Sequence, residues 1–319
     1  MSSINTNIAA MTALQTLSQT NKDLLVTQNR VSTGLRVKDA SDNAAYWSIA
    51  TTMRSDNMAV STVQDALGLG AATVEVAVTA LNSAIETVSK IHAKLVAARA
   101  PGLDRGKIQS EINELQAELR NTAQSAVFSG ENWLVGNSDT GPTSKTIVAS
   151  FSRDSTGTIT IGTIEVDVGP GGTMMFDLGT SASAGGLLDK VHTLPSGTSP
   201  ANDISIAGES TGLNIASLTD DPADLQLLED MMVIVDKALR DMTDAATLLG
   251  AAKSRISLQK DFVSKLIDSI DVGIGQLVDA DMNEESTRLQ ALQVRQQLGV
   301  QALGIANQSA QMILRLFQS

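Results

Sequence analysis

The sequence predicts a mainly α protein: a long coiled-coil-like helical rod formed by both chain ends, with one small β-rich inserted outer domain. Three observations predict it. Apolar residues recur at alternating spacings of four and three through both ends of the chain, the pattern that keeps one narrow helix face on a partner helix. The stretch from about Asn137 to Thr219 changes to Gly, Ser, Thr and Pro with short alternating runs, the composition of strands joined by turns. All six prolines, at 101, 142, 170, 195, 200 and 222, fall in that stretch or at breaks in the heptads, where their missing N–H does no harm.

Residues 1–40 read as the first helix, with a seam at Ala10, Leu14, Leu17, Asn21, Leu24, Gln28, Val31 and Leu35. The polar Asn21 and Gln28 in it would fix register and partner number. The polar run Lys38 to Asn43 interrupts the helix, with Ser41 or Asp42 expected to cap the next one. Residues 41–137 form the first half of the helical rod. Their seam runs Ile49, Met53, Asp56, Val60, Val63, Leu67, Gly70, Val74, Ala77, Leu81, Ala84, Val88, Ile91 and Leu95, a helix of about 70 Å at 1.5 Å per residue. Pro101-Gly102 breaks it. Ile108, Ile112, Leu115 and Leu119 then predict a shorter helix that folds back antiparallel and ends near Phe128-Ser129-Gly130.

Residues 138–218 form the insert, with Thr158–Ile161 and Ile164–Val168 read as short strands and Gly169-Pro170-Gly171-Gly172 as a turn. Residues 219–278 return as the second half of the rod, through Leu225, Leu228, Met232, Val235, Leu239, Met242, Ala246, Leu249, Ile256, Val263, Ile267, Ile270, Ile274 and Leu277, with Lys253 and Lys260 the polar members. The seam slips by one position across Asp279-Ala280-Asp281 and resumes in 279–319 as Leu289, Leu292, Gln296, Gly299, Leu303, Ala306, Ala310, Ile313 and Phe317. A slip turns the seam to a different face. It marks a joint between two layers, matching the interruption at Lys38 to Asn43, so that the first helix pairs with the last and the second with the second-to-last. Ile4, Ile8 and Met11, with Val294, Leu298, Ile305 and Leu316, add a second apolar stripe to each end, which points to contacts with other copies of the chain.

Composition narrows the function classes. The 319 residues carry 3% aromatics, no cysteine and only two histidines, His92 and His192, which excludes disulfides, thiolate chemistry and nearly all histidine-based catalysis or metal binding. Asp220-Asp221 and Asp279-x-Asp281 read as helix caps or solvated turns rather than cation sites. Gly68-x-Gly70 lacks the third glycine of a phosphate loop and is read as permitting close helix approach. No enzyme, cofactor or metal is expected. Of the net charge of −12, the ends 1–33 and 286–319 contribute +1 and +3, leaving −16 on the rest. That balance argues against nucleic acid as a partner. No cleavable secretory signal and no stretch approaching a membrane span is apparent, so neither membrane insertion nor signal-peptide export is expected.

At this point particular residues carry a resemblance. The opening Met1-Ser-Ser-Ile-Asn-Thr-Asn7, the run Ser32-Thr-Gly34-Leu35-Arg36-Val-Lys-Asp-Ala-Ser-Asp42-Asn-Ala44-Ala45 followed by Ile49-Ala50, and Asp279-Ala-Asp281 with Ala306-Asn307-Gln308 through Ile313-Leu314 resemble bacterial flagellin, the flagellar filament subunit, of an alphaproteobacterial kind with a short middle domain. The resemblance covers about residues 1–137 and 219–319. It implies a self-assembling structural subunit for swimming motility. Terminal helices would line an inner tube, with Leu14, Leu17, Leu24, Val31, Leu35, Leu289, Leu292, Leu303, Ala306, Ile313 and Phe317 as assembly residues. It also implies extracellular location after export without a cleaved signal, and partners comprising the chain itself, sister flagellins, an export chaperone, and filament-cap and hook-junction proteins. A hook-filament junction protein of the same family and a cytoplasmic signalling coiled coil are the alternatives. Lys90, Ile91, Lys94 and Leu95 align with a segment through which other flagellins engage a vertebrate Toll-like receptor; Ile91 stands in the place of an arginine there and Lys94 in that of a glutamate, which implies poor sensing.

Overall fold

The computed structural model describes residues 7–139, 141–154, 156–178, 185–190, 192, 205–206 and 213–318, with the backbone alone for 309–318. The protein is mainly α, with a small sheet-containing middle region. Among the described residues there are five helices, α1 (Ile8–Thr33), α2 (Ala44–Ala98), α3 (Arg105–Ser125), α4 (Pro222–Val278) and α5 (Met282–Gln318), and, between α3 and α4 in the chain, six strands, β1 (Val127–Phe128), β2 (Glu131–Asn132), β3 (Val135–Gly136), β4 (Ser144–Arg153), β5 (Ile159–Asp167) and β6 (Phe176–Asp177). Two compact units divide the chain. The first comprises 1–58 and 267–319, the second 59–266.

In the first unit α1 and α5 pair antiparallel. Asn7 starts α1 by accepting from Ala10 N, and its Nδ2 donates to Ala306 O at 2.9 Å. Further along, Gln296 Nε2 donates to Asn21 Oδ1 at 2.8 Å, and Arg30 meets Glu285 at 3.0 Å. The face α1 turns inward is Ala10, Ala13, Leu17, Thr20, Leu24, Thr27 and Val31, with Thr20 and Thr27 the most buried. Leu14, Asn21 and Gln28 of the expected seam are exposed instead. Both stripes share positions 10, 17, 24 and 31, so periodicity alone does not separate them. The small Ala13 and the threonines admit a closer partner than leucine would. On α5 the expected face holds: Leu289, Leu292, Gln296, Gly299, Leu303 and Ala306 are all at least half-buried.

The second unit contains the remainder of α2 and α4, all of α3 and the strands. Val60 to Leu95 of the α2 seam is buried as expected, and Glu75 pairs with Lys253 while Arg99 pairs with Glu229, an antiparallel match to α4. Pro222 opens α4 at its first helical position, where its lost donor has no partner anyway. Near its start α4 buries Leu228, Met231, Ile234, Val235, Ala238 and Met242, a face wider than a two-helix seam and suited to more than one neighbour. Gly102, at φ 82°, turns the chain after α2, and Asp104 caps α3. The helix folds back as expected, with Lys94 paired to Glu111.

Ser129 and Gly130, at φ 52° and 83°, then form the two-residue turn of the β1–β2 hairpin, since two successive positive φ values match the strand twist. β4 and β5 form the main antiparallel hairpin, with a register shift between Val148 and Ser150. The two expected runs 158–161 and 164–168 are mostly one strand, β5, because Gly162 continues the ladder opposite Ser150 rather than ending it. Gly172 N donates to Gly169 O at 2.9 Å with Gly171 at φ 87°, so the expected turn is a type II turn with Pro170 second. β3 and β6 pair in parallel.

Gly70 admits β4 rather than a helix. A β-carbon there would stand 2.6 Å from Ile147 Cγ2, whereas one at Gly68 meets nothing within 4 Å. One further expectation needs correction: α2 contains an 18-residue window of mean hydropathy 1.3, long and apolar enough to cross a membrane by length and composition. The buried heptad seam, Val60 to Leu95, supplies part of that apolarity, and 28% of the window is buried.

Candidate assembly surface and the joint behind it

Gly34 ends α1 in the left-handed conformation, φ 72°, with its N–H on Arg30 O at 2.8 Å; a side chain there would strain the backbone. From Gly34 the chain runs beside the α4–α5 break. Ala280 N donates to Gly34 O at 2.9 Å, and Arg36 N and Val37 N donate to Val278 O at 2.7 and 3.2 Å. The Arg36 guanidinium adds a bond to Leu277 O at 3.1 Å. The two interruptions therefore satisfy each other's backbone groups. Beneath them Val37, Ala50, Ile274 and Val278 form a small core flanked by Leu35, Met53 and Ile270. Ala50 is 1% exposed while Ile49 is 50% exposed; the α2 seam is displaced by one residue at its start because the joint core takes the smaller side chain.

Asp42 Oδ2 accepts from Lys38 N at 3.0 Å and Asp39 N at 3.3 Å, and these backbone bonds hold its carboxyl below the usual value. With Asp42 committed to the loop behind it, Asn43 caps α2, accepting from Ala45 N and Tyr46 N at 3.1 and 3.2 Å. Neither Ser41 nor Asp42 takes that role. Asp281 caps α5, accepting from Asn283 N and Glu284 N, as the reading of Asp279-x-Asp281 anticipated. Glu285 Oε1 receives both Arg30 and Arg288, at 3.0 and 3.1 Å, with the carboxylate almost wholly buried. Thus Gly34, Leu35, Arg36, Asp42 and Ala50 serve the joint, Ala44 and Ala45 start α2, and Ile49 faces outward.

The α1–α5 pair leaves a large apolar surface uncovered. Ile8, Met11, Leu14, Leu25 and Val26 on α1 and Val294, Leu298, Val300 and Ile305 on α5 are exposed. Leu25, Val26 and Val300 escaped the heptad reading, although two adjacent apolar residues beyond a seam are a readable sign of a second face. Leu17, Leu24, Val31, Leu289, Leu292, Leu303 and Ala306 lie between the paired helices, and Leu14 faces out. Asn307 and Gln308 are exposed; Ile4 and the side chains of Ile313, Leu316 and Phe317 lie outside the described residues.

In the receptor-aligned segment Ile91 and Leu95 are 0% exposed, facing the interior of the second unit. Neither is presented on the surface of the second unit. Lys90 is exposed and Lys94 pairs with Glu111. His192 is buried, and burial depresses its pKa, with Lys237 and Lys190 adding to the effect. Among the described residues no three His, Cys, Asp or Glu side chains converge as a metal site would require.

Comparison with known proteins matches residues 4–139 to the bacterial flagellin N-terminal helical region and residues 232–317 to the bacterial flagellin C-terminal helical region. Flagellin C of Rhizobium meliloti (strain 1021) is 49% identical over the whole of both chains. Flagellin A of the same strain is 42% identical, and the flagellin of Brucella melitensis biotype 1 is 45% identical, again with both chains covered throughout.

Proposed function

The chain belongs to the bacterial flagellin family and is a structural subunit of the flagellar filament, an extracellular appendage; from that premise we propose that the outward stripes of α1 and α5 are where subunits join. The family is one of structural proteins, not enzymes. Residues 1–40 and 279–319 form the inner tube, 41–137 and 219–278 the helical layer around it, and 138–218 the outer insert. The observation that carries this reading is the surplus of apolar residues on α1: Leu17, Leu24 and Val31 share the contact within the chain with Thr20 and Thr27, while Ile8, Met11, Leu14, Leu25 and Val26 are left to water. Burying such a stripe against other copies, or against sister flagellins, removes it from solvent.

Delivery to the growing tip uses export of the unfolded chain without a cleaved signal. An export chaperone covers α5, and hook-junction and cap proteins meet the first and last subunits. The full-length match to flagellins favours the filament over a junction protein or a signalling coiled coil.

Electron microscopy of purified protein after seeding tests the assignment. Leu14→Asp is expected to abolish filaments with helix content unchanged, because a carboxylate in a water-excluded contact costs about 2 kcal/mol or more in every subunit. Replacing about residues 140–216 by a short linker is expected to leave growth intact. Normal filaments from Leu14→Asp together with none from the deletion would reverse the inner and outer assignments.

A further inference from the structure

Sulfur in this chain is carried by methionine alone, since the sequence has 11 methionines and no cysteine. An oxidant that seeks sulfur therefore meets only thioethers. Met174, Met175, Met231 and Met242 are buried, and Met53 and Met232 are half-buried. Met11, Met58 and Met282 are exposed, Met11 at 63%. The side chains of Met1 and Met312 lie outside the described residues. Of the three exposed thioethers Met11 is the one on the outward apolar stripe of α1, three residues from Ile8 on one side and from Leu14 on the other. Met58 belongs to α2, and Met282 opens α5 beside the joint.

A thioether suits an apolar contact because it is polarisable and at most a weak acceptor. A sulfoxide in its place carries a strong acceptor oxygen, which must keep its water or find a donor. The hydroxyl protons on this stretch of α1 are already used. Thr12 Oγ1 donates to Ile8 O and Thr16 Oγ1 to Thr12 O, both at 2.9 Å. Gln15, four residues on, has an amide that can serve the oxygen, but only by drawing a second polar group into the stripe.

We propose that Met11 is an oxidation site that controls assembly: its thioether, taken to the sulfoxide by a peroxide, keeps the free subunit out of the filament until it is reduced. The proposal rests on the reading of the outward stripe as the place where subunits join, and adds a chemical control to it. Hydrogen peroxide supplies the oxygen. A sulfur lone pair attacks it, the O–O bond breaks, and the proton of the transferred hydroxyl passes to the departing oxygen. The sulfur is oxidised by two electrons and the peroxide is reduced to water. In the free subunit water solvates the new oxygen, so α1 keeps its fold. At a contact between subunits that water is excluded, and the oxygen opposes docking.

The test treats purified subunits with hydrogen peroxide, maps the sulfoxides by peptide mass spectrometry and follows growth on untreated seeds. Oxidation at Met11 is expected to raise the monomer concentration needed for growth about tenfold, the factor that one unsatisfied polar group brings. Methionine sulfoxide reductases of both epimer specificities are expected to restore growth. Met11→Leu keeps the volume and removes the oxidisable atom, and is expected to grow after peroxide as it does before. The double variant Met58→Leu with Met282→Leu is expected to stay sensitive. Met11→Gln, polar without any oxidant, is expected to behave as the oxidised chain does. Within assembled filaments Met11 is expected to oxidise about tenfold more slowly than in free subunits. Undiminished growth of subunits oxidised at Met11, a loss that persists in Met11→Leu, equal oxidation rates in subunit and filament, or a Met11 left intact where Met58 reacts each overturns the site while leaving the filament reading in place. An untreated chain that forms no filament overturns both.

Discussion

Gly299 of α5 lies against Leu17 of α1 so closely that a β-carbon at 299 would stand 3.1 Å from Leu17 Cδ1. The obstacle is the end of a flexible side chain, so one methyl can be accommodated and a branched side chain cannot. Gly299→Ala is expected to leave seeded growth within about twofold, offset by a helix-propensity gain of about 1 kcal/mol. Gly299→Val is expected to part the helices at a cost of about 1 to 3 kcal/mol and to halt growth. Filament yield by sedimentation, read beside circular dichroism of the monomer, checks both.

Gly68 and Gly70 provide a matched pair in one helix. Gly68→Ala adds a methyl in open space and is expected to stabilise the protein by about 1 kcal/mol. Gly70→Ala drives a methyl into Ile147 and is expected to destabilise by about 1 to 3 kcal/mol through displacement of β4. Denaturant midpoints of the two variants should move in opposite directions; equal shifts would remove β4 from the face of α2.

Arg30→Ala is expected to weaken the α1–α5 pair by about 1 to 3 kcal/mol, since it leaves the buried Glu285 carboxylate with Arg288 alone. Amide exchange in α1 should quicken while exchange in α3 stays unchanged. Glu285→Gln removes the charge that needs pairing and is expected to lose less.

Acid is expected to loosen the joint loop. The Asp42 carboxyl is held below its ordinary 3.8 by bonds from Lys38 N and Asp39 N. Its stabilisation is therefore complete above that ordinary value and disappears as pH falls through the depressed one. Asp42→Asn should flatten that part of the acid unfolding curve, measured through amide protection at Lys38 and Asp39.

Much of this organisation was legible because it depends on period and phase. The slip across Asp279 to Asp281 and the polar run Lys38 to Asn43 announced a joint, and the two breaks do hydrogen-bond to each other. What escaped depends on local competition. Thr20 and Thr27 take the inward face over Leu14 and its companions because closeness of approach outweighs the transfer energy of a single leucine, which no periodicity reveals. Asn43 rather than Asp42 caps α2 because the Asp42 carboxylate is already engaged by upstream amides. Gly70 looked like a helix contact because its occupant, Ile147, stands 77 residues away in a strand. The outward faces were only half visible, since a heptad names a seam and is silent about the side opposite it.

The bond from Asn7 to Ala306 joins residues 299 positions apart in the chain. Contacts of such separation form late, after nearer ones have shortened the loop they close. α3 can fold back on α2 across the short turn at Gly102, whereas α1 must await α5 from the far end of the chain. Order in time thus runs opposite to order in sequence: the first helix made is the last to find its place.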